Sequence, residues 1–341
     1  MIERNRKIHE YTGILTWQEA GYTGKGIRVA TAETLDPADW TGKKVHTLRE
    51  DVKTSNHSAM TTGVLFEVAP DVEVYAISTA TQHIAEPPYS KLYHTYVPKL
   101  KELGINLLFA SLTEPTSQPY EKEWADEFVQ QNNMLVQFWA AGNDGENGYN
   151  RRLQLPDATG VGAYQLVNGK PLPVGYTSKT EYVMFAAPTN THYQLPKWDS
   201  STPSSGTSAA APYLCGMAAL VQQFFTEKTG APLNREALLQ FFRDNCVDIG
   251  SSGKDVQSGY GAVVLPDPAT IDVLAYQEGR PKSMKVNEFK DANQIPEWAK
   301  DGVQFCLDAG IMDGVGNNLF DPNGPVTRAQ LATVLYRANK K

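Results

Sequence analysis

The chain has 341 residues, 41% apolar and 20% charged, enough to bury a sizeable core and suited to one large domain plus a small one. A net charge of −7 gives no basic footprint of the nucleic-acid-binding kind and disfavours contact with anionic membranes, so nucleic acid is not expected as a partner. No apolar run approaches the ~18–20 residues of a membrane span. The opening MIERNRKIHEYTG lacks the apolar centre of a signal peptide, so a soluble protein made in the cytoplasm is expected. Cys215, Cys246 and Cys306 are odd in number and widely spaced, which suggests buried free thiols rather than a disulfide framework or a metal site.

Taken in chain order, short apolar runs alternate with helical patterns. IRVATAE (27–33), VEVYAIS (72–78), INLLFAS (105–111) and MLVQFWA (134–140) read as buried strands, with helix-like segments at 57–67, 91–103 and 119–132. Almost continuously apolar strands separated by helices imply an α/β fold: a mainly parallel central sheet with helices on both faces. Sites in such sheets form at the carboxyl ends of strands, where Glu33, Ser111 and Asn143 fall. Further on, SSGTSAAAP (204–212) runs into the apolar LCGMAALVQQFF. Ser208 there reads either as part of a helix cap, with Pro212 tolerated in the first turn, or as a nucleophile at a helix N-terminus that favours developing negative charge.

Residues 279–290 (GRPKSMKVNEFK) are polar with Gly and Pro and read as a linker between a domain at 1–278 and a module at 291–341. In that module PEWAKDGVQFCLDAG sets Trp298, Gly302, Cys306 and Ala309 on one helical face. A turn-rich stretch follows, and Thr327 with Gln330 forms a capping box before Leu331, Val334, Leu335 and Ala338. The result is a helix–loop–helix of roughly 50 residues, small for an independent core.

Four segments then line up: GKGIRVATAET ending a strand on Glu33, NHSAMTTGVLFEVAP with His57 opening a helix, FWAAGNDG with Asn143 in a turn, and GTSAAAP with Ser208. In this order they resemble the subtilisin-like serine proteases, whose motif Gly-Thr-Ser-x-Ala-x-Pro is met at every fixed position by 206–212 and whose Ala-Ala-Gly-Asn is met by 140–143. The resemblance continues through VGAY (161–164), YVMFAAP (182–188) and SGYGAVVLPDP (258–268). It implies Ser208 as nucleophile, His57 as base, a carboxylate holding the imidazole, and Asn143 as oxyanion donor. It also implies a peptide substrate bound along Ser111, Leu112, Thr113, Ala141 and Gly142, with no cofactor. The order acid, His, Ser separates this arrangement from chymotrypsin-like and α/β-hydrolase chains, and Ala210 stands where the hydrolase elbow needs glycine.

The chain also departs from the family pattern. Glu33 stands where the family has Asp, and Asp36 is an alternative carboxylate. His-Gly-Thr-His becomes His57-Ser58-Ala59-Met60, and Ser-Leu-Gly becomes Ser111-Leu112-Thr113, whose side chain would narrow the space beside the P1 residue. Asn143 also suits simple turn chemistry, and Asp144 and Glu146 could hold a structural calcium, though solvated turn carboxylates are the plainer reading. The C-terminal module resembles one S-layer homology repeat, carried by Phe289-Lys290-Asp291, Trp298-Ala299, Gly310-Ile311, NNLFDP (317–322) and VTRAQ (326–330). That likeness implies contact with an acidic cell-wall polymer through Arg328, and cell-envelope association. Two functions follow: a serine endopeptidase, or a catalytically silent protein of that fold acting in binding or assembly at the envelope.

Overall fold

A computed structural model describes residues 2–48, 53–77, 97–112, 126, 134–276, 285–308, 311–312, 315 and 319–339. The chain divides into two compact units, Met1–Ile271 and Asp272–Lys341.

The first unit opens on two short helices, α1 (Arg6–Tyr11) and α2 (Ile14–Glu19). The expected strands follow as β1 (Arg28–Thr31), β3 (Glu73–Ala76), β4 (Leu107–Ala110) and β5 (Val136–Ala140), with β2 (Lys44–Thr47) between the first two. The helix expected at 57–67 is α3 (Asn56–Val68). Of the one expected at 91–103, α4 (Val97–Glu102) is described. The one expected at 119–132 lies outside the described residues apart from Asp126. Beyond β5 come β6 (Ala158–Val167), β7 (Lys170–Pro173), β8 (Val183–Pro188), the small pair β9 (His192–Tyr193) and β10 (Thr202–Pro203), α5 (Thr207–Thr229), α6 (Arg235–Asp244), β11 (Cys246–Val247) and β12 (Ala262–Val263).

The sheet order is β11-β12-β8-β6-β5-β4-β1-β3-β2, parallel except where β11 meets β12 and where β7 folds back on β6. Alternation along the strands explains the two covered faces. Ala30 and Ala32, Tyr75 and Ile77, and Leu108 and Ala110 pack with Val97 and Leu100 of α4. On the other face α5 packs along β4, β5, β6 and β8, and Phe242 of α6 meets Phe138 and Phe185. Helix α5 also packs against α3, and at that crossing Gly216 is required: a Cβ there would lie 2.7 Å from Val68.

The direction of winding across the sheet reverses between the parallel strands β1 and β4. After β1 the chain leaves toward β2 and β3; after β4 it leaves toward β5 and β6. Adjacent parallel strands whose connections depart to opposite sides leave a crevice at their carboxyl ends. Thr31 is in register with Phe109, so Glu33 and Ser111, each two residues further on, stand side by side at that crevice.

In the second unit, α7 (Glu297–Asp308) and α8 (Arg328–Asn339) accompany a small core of Val286, Phe289, Ile295, Leu307 and Phe320. Three expectations are corrected here. The proposed linker at 279–290 does not extend to its end: residues 279–284 lie outside the described residues, but Val286 and Phe289 are buried core. The inward positions of α7 include Ala299, Val303 and Leu307, spaced by four, whereas Trp298 is 87% exposed and Cys306 only half-buried. Leu331 and Leu335 of α8 are likewise exposed. Of the cysteines, all three are free, but only Cys215 is fully buried; Cys246 and Cys306 are half-buried.

The capping box before α8 forms as expected, with Thr327 N–H donating to Gln330 Oε1 at 2.8 Å and Gln330 N–H to Thr327 Oγ1 at 3.2 Å. Asp291 closes the loop before it, accepting from Phe320 N–H and Asp321 N–H at 2.9 and 2.8 Å. Arg328, at the first turn of α8, is exposed.

Candidate active site

His57 is placed by a helix start that its own sequence writes. Ser55 is the N-cap of α3, and its hydroxyl accepts from Ser58 N–H at 3.0 Å while Ser58 Oγ accepts from Ser55 N–H at 2.8 Å. This reciprocal pair fixes the first turn, on which His57 stands exposed to solvent. Ser58 occupies a position where Glu or Gln usually completes such a box, so the pattern is easily passed over in the sequence.

The ring of His57 turns its Nδ1 to Glu33 Oε2 at 3.2 Å. Glu33 is 3% exposed, at the end of β1, so the carboxylate is fixed while the ring's far side faces out. The hydrogen bond to Glu33 raises the His57 pKa above the ordinary histidine value, against burial, which lowers it. Asp36 is engaged elsewhere: its Oδ1 caps the short helix Pro37–Asp39 by accepting from Ala38 N–H at 2.9 Å.

Ser208 is the second residue of α5, after Thr207, and is half-buried. Its hydroxyl donates to Ser111 O at 3.3 Å, and the Ser111 hydroxyl donates to Ser208 O at 2.8 Å. The second bond has a cause in the sequence. Pro212, four residues on, has no N–H, so it cannot make the helical bond to the Ser208 carbonyl. Pro212 therefore stands in the second turn, not the first as expected, and Ser111 satisfies the carbonyl that it leaves open.

Asn143 follows β5 on an exposed loop whose backbone is tied down on both sides. Gly142 has φ 108°, and a Cβ there would lie 2.6 Å from Ser178 Oγ, so only glycine fits. Asn143 Oδ1 accepts from Thr207 N–H at 2.9 Å and from Thr207 Oγ1 at 3.2 Å. A backbone N–H can only donate, so the amide oxygen faces Thr207 and Nδ2 is the donating end. Thr207 Oγ1 also accepts from Gly142 N–H at 3.1 Å. Thr207 thus joins the asparagine loop to the start of the serine helix, a role not read from the sequence although the residue lies inside the GTS motif.

The two pairs, Glu33 with His57 and Ser111 with Ser208, hang from the neighbouring strand ends of the β1–β4 crevice. Leu112 and Ala141 flank it, while Thr113 lies outside the described residues. Glu146 accepts from Lys179 Nζ at 2.8 Å, and among the described residues no group of three or more His, Cys, Asp and Glu side chains is placed to hold a metal ion. No helix among them is long and apolar enough to cross a membrane.

A parallel sheet with this switch point brings Ser, His, a carboxylate and Asn to strand and helix ends, as the sequence resemblance implies. The subtilase family model matches residues 50–261, and the chain belongs to that family. A model of the S-layer homology domain matches residues 288–332. The minor extracellular protease Epr of Bacillus subtilis (strain 168) is 27% identical over 278 residues, covering 76% of this chain and 41% of that relative, so the chain spans about two-fifths of its length. Among solved structures, a lanthipeptide protease is 20% identical with TM-score 0.60, covering 77% of this chain and 93% of that one. The PatG macrocyclase domain is 16% identical with TM-score 0.63, covering 79% and 97%. Those likenesses show the fold.

Proposed function

We propose that the first unit is a serine endopeptidase with Ser208 as nucleophile, His57 as general base and Glu33, rather than Asp36, as the carboxylate that orients the base. The observation that carries this reading is the contact of His57 Nδ1 with Glu33 Oε2, which leaves Nε2 as the nitrogen that can take a proton. The Ser208 hydroxyl rests on Ser111 O at 3.3 Å, longer than an ordinary O–H···O bond and weak enough to be exchanged when substrate arrives. As Ser208 attacks the peptide carbonyl, its proton passes to His57, and Glu33 stabilises the imidazolium that forms. The oxyanion is met by Asn143 Nδ2 and by the Ser208 N–H in the first turn of α5, where helix N–H groups lack intrahelical partners. His57 then protonates the leaving amine, and water repeats the sequence on the acyl-enzyme. Every step uses groups of the chain itself, and no cofactor is required.

The peptide would lie along Ser111 and Leu112 on one side and Ala141 and Gly142 on the other. The second unit is the reason to place the protein at the cell envelope, with Arg328 exposed and available to an anionic wall polymer. The alternative, a silent protein of this fold, draws on Glu33 standing in the Asp position and on Ser208 resting against Ser111. A fluorophosphonate probe separates the two. Labelling of the wild type that disappears in Ser208→Ala supports the peptidase, and a folded wild type that stays unlabelled removes it.

A further inference from the structure

We infer that the buried side-chain amide of Asn150 sets the gap between the two strand ends that flank the P1 side chain, making Asn150 a positioning residue that determines specificity. This rests on the peptidase reading of the site.

The regular pairing of β4 with β5 is last in register at Ala110 and Trp139. Past that point the strands carry Ser111 and Leu112 on one side and Ala140 and Ala141 on the other. The group that bridges them there is a side chain. Asn150 Nδ2 donates to Leu112 O at 2.9 Å and to Ala140 O at 2.8 Å. A planar NH2 group aims its two hydrogens in fixed directions, so the two carbonyls are held at a fixed separation.

The amide is itself immobilised. Asn150 N–H donates to Ala141 O at 3.0 Å, and its Oδ1 accepts from Arg152 N–H at 3.2 Å as the cap of the short helix Arg151–Gln154. The Arg152 guanidinium is held by both oxygens of Asp157 and lies over the Trp139 ring, and Gln137 of β5 donates to the same carboxylate at 2.7 Å. Asn150, Arg152 and Asp157 are all fully buried. The bridge is therefore anchored in the core beneath the ends of β4 and β5 and acts on substrate through the strand ends that carry Leu112 and Ala140. A gap that admits or rejects one methylene discriminates substrates by roughly 10–200-fold, so a small shift in its width is measurable.

The test uses the full chain with Asn150→Asp and Asn150→Ser. Asp is isosteric but turns an oxygen toward two carbonyl oxygens and should open the gap; Ser is too short to bridge it. Two peptide anilides that differ only in Ala or Phe at P1 are compared by their ratio of kcat/KM, in which the fraction of folded enzyme cancels. Asn150→Asp should move that ratio at least ten-fold toward Phe, with kcat on the Ala substrate kept within a few-fold. Ratios within two-fold of wild type in both variants would overturn the inference. Should the wild type cleave no peptide, the peptidase reading has failed by itself. Hydrogen exchange then decides: it should speed up in 111–112 and 140–143 in both variants, and unchanged exchange overturns the bridge. Failure of both variants to fold would assign Asn150 to the core and overturn it equally.

Discussion

On the serine side of the site, short side chains are bonded to backbone: Ser111 to the Ser208 carbonyl, Thr207 to Gly142, and Asn143 to the Thr207 N–H. On the histidine side, a ring on an exposed helix start reaches down to a longer carboxylate at 3.2 Å. The first half has little slack, because each group is fixed to the chain by one or two bonds and a shift in one moves the next. The second half joins side chain to side chain: a buried carboxylate at the end of β1 meets a ring on the capped first turn of α3. In the proposed triad Glu33 is one methylene longer than Asp, and the group that must accommodate that length is another side chain, the His57 ring, rather than backbone. A comparable change beside Ser208 would displace backbone.

The largest effect should come from the histidine side. Glu33→Gln keeps the shape but cannot stabilise an imidazolium and permits the wrong tautomer, so turnover should fall by about 10⁴ with the fold intact. Glu33→Asp should cost less, since a carboxylate remains, and Asp36→Asn should do little because that group caps Pro37–Asp39. Steady-state kinetics on one peptide substrate checks all three. If Asp36→Asn silenced the enzyme and Glu33→Gln did not, the orienting role would belong to Asp36.

Next in size is Asn143→Ala, expected to depress turnover by about 10²–10³, the size known for one such donor in a serine protease of this family, with KM nearly unchanged. Thr207→Val tests the tight side one step further back. The variant keeps the volume and the Thr207 N–H bond to Asn143 but loses the hydroxyl's bonds to Gly142 and Asn143. One neutral hydrogen bond is worth about 1 kcal/mol, or about five-fold in rate, so losing two should lower turnover by roughly five- to thirty-fold. A loss as large as that of Asn143→Ala would mean that Thr207 carries the loop alone.

Much of this site was legible in the sequence, for identifiable reasons. Strands buried on both faces show as unbroken apolar runs, so β1, β3, β4 and β5 were visible, and with them the strand-end positions of Glu33 and Ser111. Ser208 and Asn143 sit in motifs whose spacing is set by tight turns. Other features were hidden because their cause is not local. The bond from Ser111 to the Ser208 carbonyl is needed because Pro212 lacks a donor, and only the fold brings residue 111 to it. Asn150 reads as an ordinary loop residue until β4 and β5 are seen to part beside it. In α7 the inward side is built partly from the small Ala299 and Val303, while Trp298 and Phe305, the bulkier apolar residues, face out. A large aromatic at helical spacing misled the reading of that face.

The smallest expected effect is a shift in pH dependence, and it tests whether the contact of His57 with Glu33 works in solution. In the proposed mechanism the neutral imidazole of His57 is the base, so kcat/KM should fall on the acid side as His57 takes up a proton. The hydrogen bond to Glu33 raises the His57 pKa, so the acid limb of the wild-type profile should lie above the ordinary histidine value. In Glu33→Gln the carboxylate charge is gone and at most a neutral amide acceptor remains, while burial, which lowers the pKa, persists; the residual activity should therefore show its acid limb at lower pH. Asn143→Ala and Thr207→Val, on the other side of the site, should reduce the height of the profile and leave the limb in place. A limb that stays fixed in Glu33→Gln would show that the 3.2 Å contact does not govern the base, and the comparison between the two sides would fail on the histidine side.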